Sequence, residues 1–229
     1  MLTVILSSFN EVHNEVFWAN LRLLAAFPAI EVVAIDGGSQ DGTKERMGSL
    51  RLETLPNSQR GERYNLGIRL AAGDLILLVH PRSLLPREGL EYLLRERPPR
   101  KWGAFRHTFD WSHPLLKFTS WYSNFVRGRF FAIFYLDHCL FFSAELKAVA
   151  HFPAVSIFED TYFCRALRAQ GKPLLLPYRV VTSAVRFRKN GIFRQSLLNQ
   201  ILKLLFHLGV SEKWMNRIYE RGLSLNSRS

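Results

Sequence analysis

The chain has few acids and few cysteines. Of its 229 residues only 19 are Asp or Glu against 31 Lys or Arg, giving a formal net charge of +12 and a pI near 10.2. Such an imbalance implies an anionic partner: nucleic acid, an anionic membrane surface or a phosphate-bearing substrate. The excess is uneven. Residues 180–229 hold nine Lys/Arg against two Glu, so +7 of the +12 lies in the last fifth, which points to a partner surface at that end. The two cysteines, Cys139 and Cys164, have neither metal nor redox spacing and read as free thiols of a reducing cytosol.

Other signals are missing. No run reaches the ~20 apolar residues of a membrane span; the nearest, Phe130 to Phe142, is broken by Asp137 and His138. Met1-Leu2-Thr3-Val4-Ile5-Leu6 has no basic flank and no cleavage site, so it does not read as a signal peptide. There is no Gly-x-Gly-x-x-Gly and no Walker loop, which counts against dinucleotide and P-loop readings. No helix-turn-helix, zinc or RNP signature accompanies the basic charge, so nucleic acid is not the expected partner. A pyrophosphorylase-like nucleotidyltransferase would want a glycine- and basic-rich loop early in the chain, and Ser7-Ser8-Phe9-Asn10 does not supply one. With no repeat, low-complexity tract or linker, residues 1–229 read as one domain, soluble or peripheral to a membrane in the cytoplasm.

What is present alternates between strand and helix. Apolar residues make up 48% and charged residues 22%, ordinary for a globular domain. Thr3–Leu6 and Ile30–Ile35 read as buried strands and 52–55 as a third. Leu75–Val79, apolar throughout, has the signature of a central parallel strand. Between them Asn10 offers a cap for a helix running to Phe27, and Arg60 to Ala72 keeps a helical apolar side at Tyr64, Ile68 and Ala71. A Rossmann-like α/β unit follows. Further on, a helix is expected from Pro86 to Arg95 and strands near 104–109, 139–142 and 174–176. Helices are expected from Phe158 to Gln170 and from Ile192 to Leu208; the last has an apolar stripe at Phe193, Leu197, Leu198, Ile201, Leu204, Leu205 and Leu208.

One segment carries chemistry more plainly than the rest. Asp36-Gly37-Gly38-Ser39-Gln40-Asp41-Gly42-Thr43 follows the apolar run 30–35 and puts a carboxylate at the carboxyl edge of the sheet, where open α/β sheets bind ligands. Asp36 there can accept from a base or a ribose, or it can simply stabilise the Gly37-Gly38 turn. Asp41 suits the positive end of the following helix. Glu159-Asp160 is either an acidic first helical turn or a catalytic pair.

Ser8-Phe9-Asn10-Glu11, the segment from Asp36 to Thr43, Arg63-x-Asn65-x-Gly67, Ala72-Gly73-Asp74, His80-x-x-Ser83-x-x-Pro86 and Glu159-Asp160 occur in order. The set resembles the family 2 glycosyltransferases of the GT-A fold, and more narrowly the small bacterial selenodomain-associated transferases. The likeness runs on through Thr182 to Phe187 and the C-terminal helix.

The resemblance implies an α/β fold in which a mixed central sheet is flanked by helices. Residues 1–100 would form a Rossmann-like nucleotide-binding half, 101–190 an acceptor-side half and 191–229 C-terminal amphipathic helices. It implies transfer of a sugar, with inversion, from a nucleotide-diphosphate donor (uridine is the usual base) to a hydroxyl. Asp36, with Gly37, Gly38 and Ser39, would meet the base; Asn10 and Glu11 would lie near the ribose or base; Arg63 and Asp74 would line the nucleotide site. Asp160, beside Glu159, would be the general base that such a displacement requires. Asp137-His138 stands where the family has Asp-Gln, an acceptor or donor-sugar contact. Arg186-Phe187-Arg188 matches an Arg-Trp segment with a basic loop that can reach the diphosphate or a lipid phosphate.

The chain departs from the family at Arg82. The family has an Asp there that holds Mg²⁺ or Mn²⁺ against the diphosphate, and a guanidinium cannot ligate a hard cation. His80 alone is a poor site for one. Two expectations follow: a metal-independent transferase in which Arg82 holds phosphate oxygens directly, or a catalytically degenerate transferase that binds a nucleotide or glycan. The aromatic-rich middle, with Trp102, Trp111, Trp121, Tyr122, Arg106, His107 and His113, suits a glycan or lipid-linked acceptor but equally a core. The helix from Ile192, with Arg194, Lys203 and His207 beside its stripe, either packs on the core or lies on an anionic membrane at the inner face.

Overall fold

A computed structural model describes residues 1–220 apart from Ser49 and Arg97; the end of the expected 191–229 helical region, 221–229, lies outside the described residues. Four parallel strands, β1 (Leu2–Ser8), β2 (Ile30–Asp36), β3 (Leu52–Thr54) and β4 (Leu75–Val79), lie in the order β3-β2-β1-β4. The sheet continues past β4 without a break. β7 (Leu140–Ser143) is antiparallel to β4 and to β6 (Trp102–Phe109). β8 (Leu174–Thr182) runs parallel to β6, and the short β5 (Ser83–Leu84) closes the edge against β8. The eight strands form one mixed sheet.

The two-residue period of a strand builds both faces at once. Val4 and Leu6 of β1 and Leu77 and Val79 of β4 point to one side. There they meet Phe17, Trp18 and Leu24 of α1 (Glu15–Ala25) and Leu90 and Leu93 of α4 (Arg87–Arg95). Ile5, Ile76 and Leu78 point to the other. They meet Tyr64 and Ile68 of α3 (Arg60–Leu70) and Phe163 and Leu167 of α7 (Glu159–Arg168). Both faces being covered is why β4 is apolar at every position.

Several boundaries differ from expectation. The α1 cap is Asn14, whose Oδ1 accepts from the Phe17 N–H at 3.4 Å. Asn10 instead takes a left-handed φ of 54° and accepts from the Gln40 N–H. β8 is longer than the expected three residues and passes through Pro177. It can do so because the ladder slips there: Phe105 pairs with Leu176 but Arg106 with Arg179, so Pro177 sits in a bulge where no N–H is needed. Cys139 and Cys164 are both free and buried.

After the short α8 (Val185–Asn190), the last two helices, α9 (Ile192–His207) and α10 (Glu212–Glu220), pack on each other and on the start of α7 through Leu198, Leu202, Leu205 and Met215. The expected single stripe on α9 is thus divided. Leu198 and Leu205 face inward, whereas Phe193, Leu197, Ile201, Leu204 and Leu208 are exposed. No described helix is long and apolar enough to cross a membrane.

Candidate active site

The carboxyl ends of β1, β2 and β4 bring Ser8, Asp36 and His80 to one edge. Asp36 is fully buried, and its carboxylate is engaged within its own turn. Oδ1 accepts from the N–H groups of Gly38 (2.9 Å) and Ser39 (2.7 Å), and Oδ2 from the hydroxyls of Ser39 (2.5 Å) and Ser8 (2.9 Å). The turn needs its glycines: Gly38 has φ +90°, and a Cβ on Gly37 would collide with the Arg63 guanidinium. Arg63 of α3 is buried, donating from Nε to Ser7 Oγ and from Nη1 to Ser58 O, both at 2.7 Å. Burial lowers its pKa to about 10. Asn10 joins this edge through its N–H, which donates to Ser39 Oγ at 2.8 Å.

Beside this edge opens a cavity of about 220 Å³. Five cationic side chains line it: Arg60, Arg82, Arg127, Arg186 and Lys203. Three of the arginines are held from behind by buried glutamates that do not themselves line the cavity. Glu11 holds Arg82 at 3.1 Å, Glu159 holds Arg60 at 2.6 Å and Glu220 holds Arg186 at 2.6 Å. Each pair fixes the direction of a planar guanidinium, which pre-orients it for an anion. Arg127 comes from a π-helical segment, Tyr122–Arg127, and lies over the Tyr135 ring with its Nη2 on Ser123 Oγ. Burial brings Lys203 down to about 8.

Two carboxylates face these cations, Asp137 and Asp160. Asp160 opens α7, is buried, and accepts from the Leu136 N–H at 3.2 Å. Burial first, and the neighbouring Glu159 charge second, push its carboxyl up to about 7. Its partner Glu159 accepts from both Nε (2.8 Å) and Nη2 (2.6 Å) of Arg60, so its role is to position that arginine. On Asp137, burial is outweighed by the attraction of His107, His138 and Arg127, and the carboxyl is lowered to about 2. Asp137 Oδ2 is 3.5 Å from His107 Nε2. His138 stands behind them, with Nδ1 at 3.0 Å from Phe105 O and Nε2 at 2.7 Å from Ser123 Oγ. Since a carbonyl can only accept, the neutral ring carries its proton on Nδ1. Burial lowers both rings, His138 to about 3, so both are neutral at pH 7.

The structure therefore gathers His80, Arg82, Asp137, Asp160, Arg186 and Phe187 around one cavity and sets other sequence candidates elsewhere. Glu11, Glu159 and His138 are supports behind the wall. Arg188 pairs with Asp110 at 3.0 Å on the surface. Asp74 is a correction. It lies just before β4, six residues and about 20 Å of strand from His80. It is mostly exposed and binds the α-amino group of Met1 at 2.8 Å, at the opposite edge from the site. Arg60 and Arg127 are not among the sequence candidates, and Lys203 is named there only as a basic residue beside the stripe of the last long helix, not as a cavity residue. Arg60 is one helical turn before Arg63, a spacing that could have suggested it; Arg127 and Lys203 carry no such signal.

As for a metal, no cluster of three or more His, Cys, Asp or Glu side chains that could hold one occurs among the described residues. At the end of β4 the Arg82 backbone N–H faces His80 Nδ1 at 3.2 Å, and burial holds that ring well below its ordinary pKa. Arg82 fills the remaining position with a cation, so these residues do not fit a divalent ion.

No protein-family model and no curated protein sequence matches the chain. Its fold does match solved structures. S. aureus TarS 1-349 in complex with UDP-GlcNAc superposes with a TM-score of 0.62 at 18% identity, covering 80% of this chain and 58% of that one. The mannosyltransferase PcManGT from Pyrobaculum calidifontis, in complex with GDP-Man and Mn²⁺, gives 0.59 at 20% identity, covering 89% and 64%. Glucosyl-3-phosphoglycerate synthase from Mycobacterium tuberculosis, with Mn²⁺, UDP and phosphoglyceric acid, gives 0.61 at 14%, covering 92% and 79%. The chain has the GT-A glycosyltransferase fold, and it spans less than two thirds of the length of the first two of these neighbours.

Proposed function

We propose that this chain is an inverting glycosyltransferase that moves a sugar from a nucleotide diphosphate, a UDP-sugar in the first instance, to a hydroxyl acceptor without a divalent cation. The observation that carries the reading is Arg82: it stands at the end of β4, is oriented by Glu11, and shares a cavity with Asp160. In the reaction the acceptor oxygen attacks the anomeric carbon as the bond to the diphosphate breaks, and Asp160 takes the hydroxyl proton. A carboxyl poised near 7 suits that task. The charge gathering on the leaving diphosphate falls to Arg82, Arg60 and Arg186, already directed by their glutamates. Arg63, Asn10 and the Asp36–Ser39 turn would form the floor for the nucleoside. The acid at Asp36 supports that floor from within instead of meeting the base.

The test is calorimetric binding of UDP and UDP-sugars in manganese and then in EDTA. Equal binding in both supports the reading. Binding only with manganese overturns the role given to Arg82. A second reading, a degenerate transferase that only binds nucleotide or glycan, is favoured by one observation: Arg82 and Glu11 already satisfy one another. Binding without transfer across a wide donor panel would select it.

A further inference from the structure

α9 is apolar on two sides and buries only one. Phe193, Leu197, Ile201, Leu204 and Leu208 fall within roughly 80° of each other at 100° per residue, on the side away from Leu202 and Met215, and all five are exposed, Phe193 by 75% and Leu208 by 69%. A soluble helix normally turns such a stripe to a core. Two neighbouring elements do the same. On α5 (Pro114–Trp121), Phe118 and Trp121 are exposed, with ring centroids 5.8 Å apart. On α6 (Gly128–Phe131), Phe130 is 76% exposed and Phe131 is exposed beside it. The start of α5 touches the start of α9 through His113 and Phe193, 6.3 Å apart. Tyr122, just after α5, and Lys203 of α9 both line the cavity. The apolar faces of α5 and α9 are therefore carried by elements that border the cavity.

Lys117, Arg129, Lys189, Arg194, Lys213 and Arg217 are exposed on these helices and their neighbours. From Trp111 to Glu220 the only exposed acid is Glu145, which pairs with Lys101 at 3.1 Å. An apolar surface set among cations with almost no carboxylate matches the headgroup region of an anionic bilayer, where apolar side chains enter the acyl boundary and Lys/Arg remain at the phosphates.

We propose that the outer faces of α5, α6 and α9 dock this protein on an anionic membrane with the mouth of its cavity turned to the lipid. No span is involved; the helices lie in the interface. A consequence, which rests on the transferase reading above, is that the acceptor hydroxyl belongs to a lipid-borne molecule entering between Tyr122 and Lys203.

The test is flotation of the full chain with phosphatidylcholine vesicles and with vesicles containing a quarter phosphatidylglycerol, at low and high salt. The expected result is flotation with the anionic vesicles at low salt, weakening with salt. Flotation should be lost in Leu197→Glu/Leu204→Glu, a variant at two exposed positions whose folding is checked by circular dichroism. A blue shift of tryptophan emission on anionic vesicles, absent in Trp121→Phe, is the second readout. No flotation at low salt, or flotation untouched by the double variant, overturns the proposal. So does a dimer in gel filtration that the same variant dissociates, since the face would then join two copies. UDP binding measured on the same preparation keeps the readings apart: nucleotide binding without flotation sinks only the docking, and flotation without nucleotide binding sinks only the transferase.

Discussion

Arg82 Nη1 lies 3.1 Å from Glu11 Oε1, and this contact ties the end of β4 to the loop after β1 across a span of 71 residues. Glu11 is almost fully buried; burial raises its pKa while Arg82 draws it back. The pair converts two loop residues into one fixed cationic surface.

Removing Arg82 should therefore show a pH dependence. In Arg82→Ala the buried Glu11 loses its main counter-charge, and losing one partner of a buried pair costs about 3–5 kcal/mol. Glu11 can escape by taking up a proton. Its folded pKa, already raised, rises further, so the folded state holds a proton that the unfolded state releases above its ordinary value. Stability is then retained near pH 5 and falls as pH rises. Thermal melts of wild type and variant at pH 5 and pH 8 should show the larger gap at pH 8.

Arg82→Asp tests the role proposed for Arg82 differently. It sets a second carboxylate beside Glu11, and two hard oxygen donors in place of an ion pair suit Mn²⁺. Manganese should raise the melting temperature of this variant and leave that of the wild type unchanged. A wild type stabilised equally by manganese would show a site elsewhere.

Asp160→Asn should reduce transfer by about 10²–10⁴-fold, the range for a lost general base, and leave UDP binding intact. In the wild type, turnover should rise with pH through about 7 as Asp160 loses its proton. Stability moves the other way. A carboxyl raised from its ordinary range destabilises the fold increasingly as pH climbs from about 4 to about 7. The Asn variant should therefore melt higher than wild type at pH 8 and lose that advantage at pH 5.

Gly37→Ala should be destabilising by about 1–3 kcal/mol, the usual cost of overpacking, because the added methyl meets the Arg63 guanidinium. Denaturant melts measure it. Gly171→Ala, where nothing lies within 4 Å of the added carbon but φ is +139°, separates backbone strain from collision.

Much of the first half was legible because its signals are local. An apolar run of five residues at 75–79 reads as a doubly covered strand, and a carboxylate before two glycines favours a turn. Asp41 was legible for the same reason: it accepts from the Thr43 N–H at 3.1 Å, at the start of α2 (Thr43–Met47). Asn10 misled because Asn10 and Asn14 are equally good caps by type. The choice fell to Asn14, whose amide also donates to Glu11 at 2.7 Å and to Pro81 O at 2.9 Å. Asp74 misled because its Ala-Gly-Asp motif says what precedes a strand and nothing about which end of the strand faces a ligand.

By itself the sequence determined the alternation of strand and helix, the turn at Asp36 and the acidic start of α7. Each of these rests on contacts among residues a few positions apart. Only the tertiary structure decided that Arg60, Arg82, Arg127, Arg186 and Lys203 share one cavity, because they come from five separate segments of the chain. It also decided which side of α9 is covered. Both sides are apolar, so no pattern along the helix distinguishes them, and the choice went to the side that Met215 and Ile157 could reach.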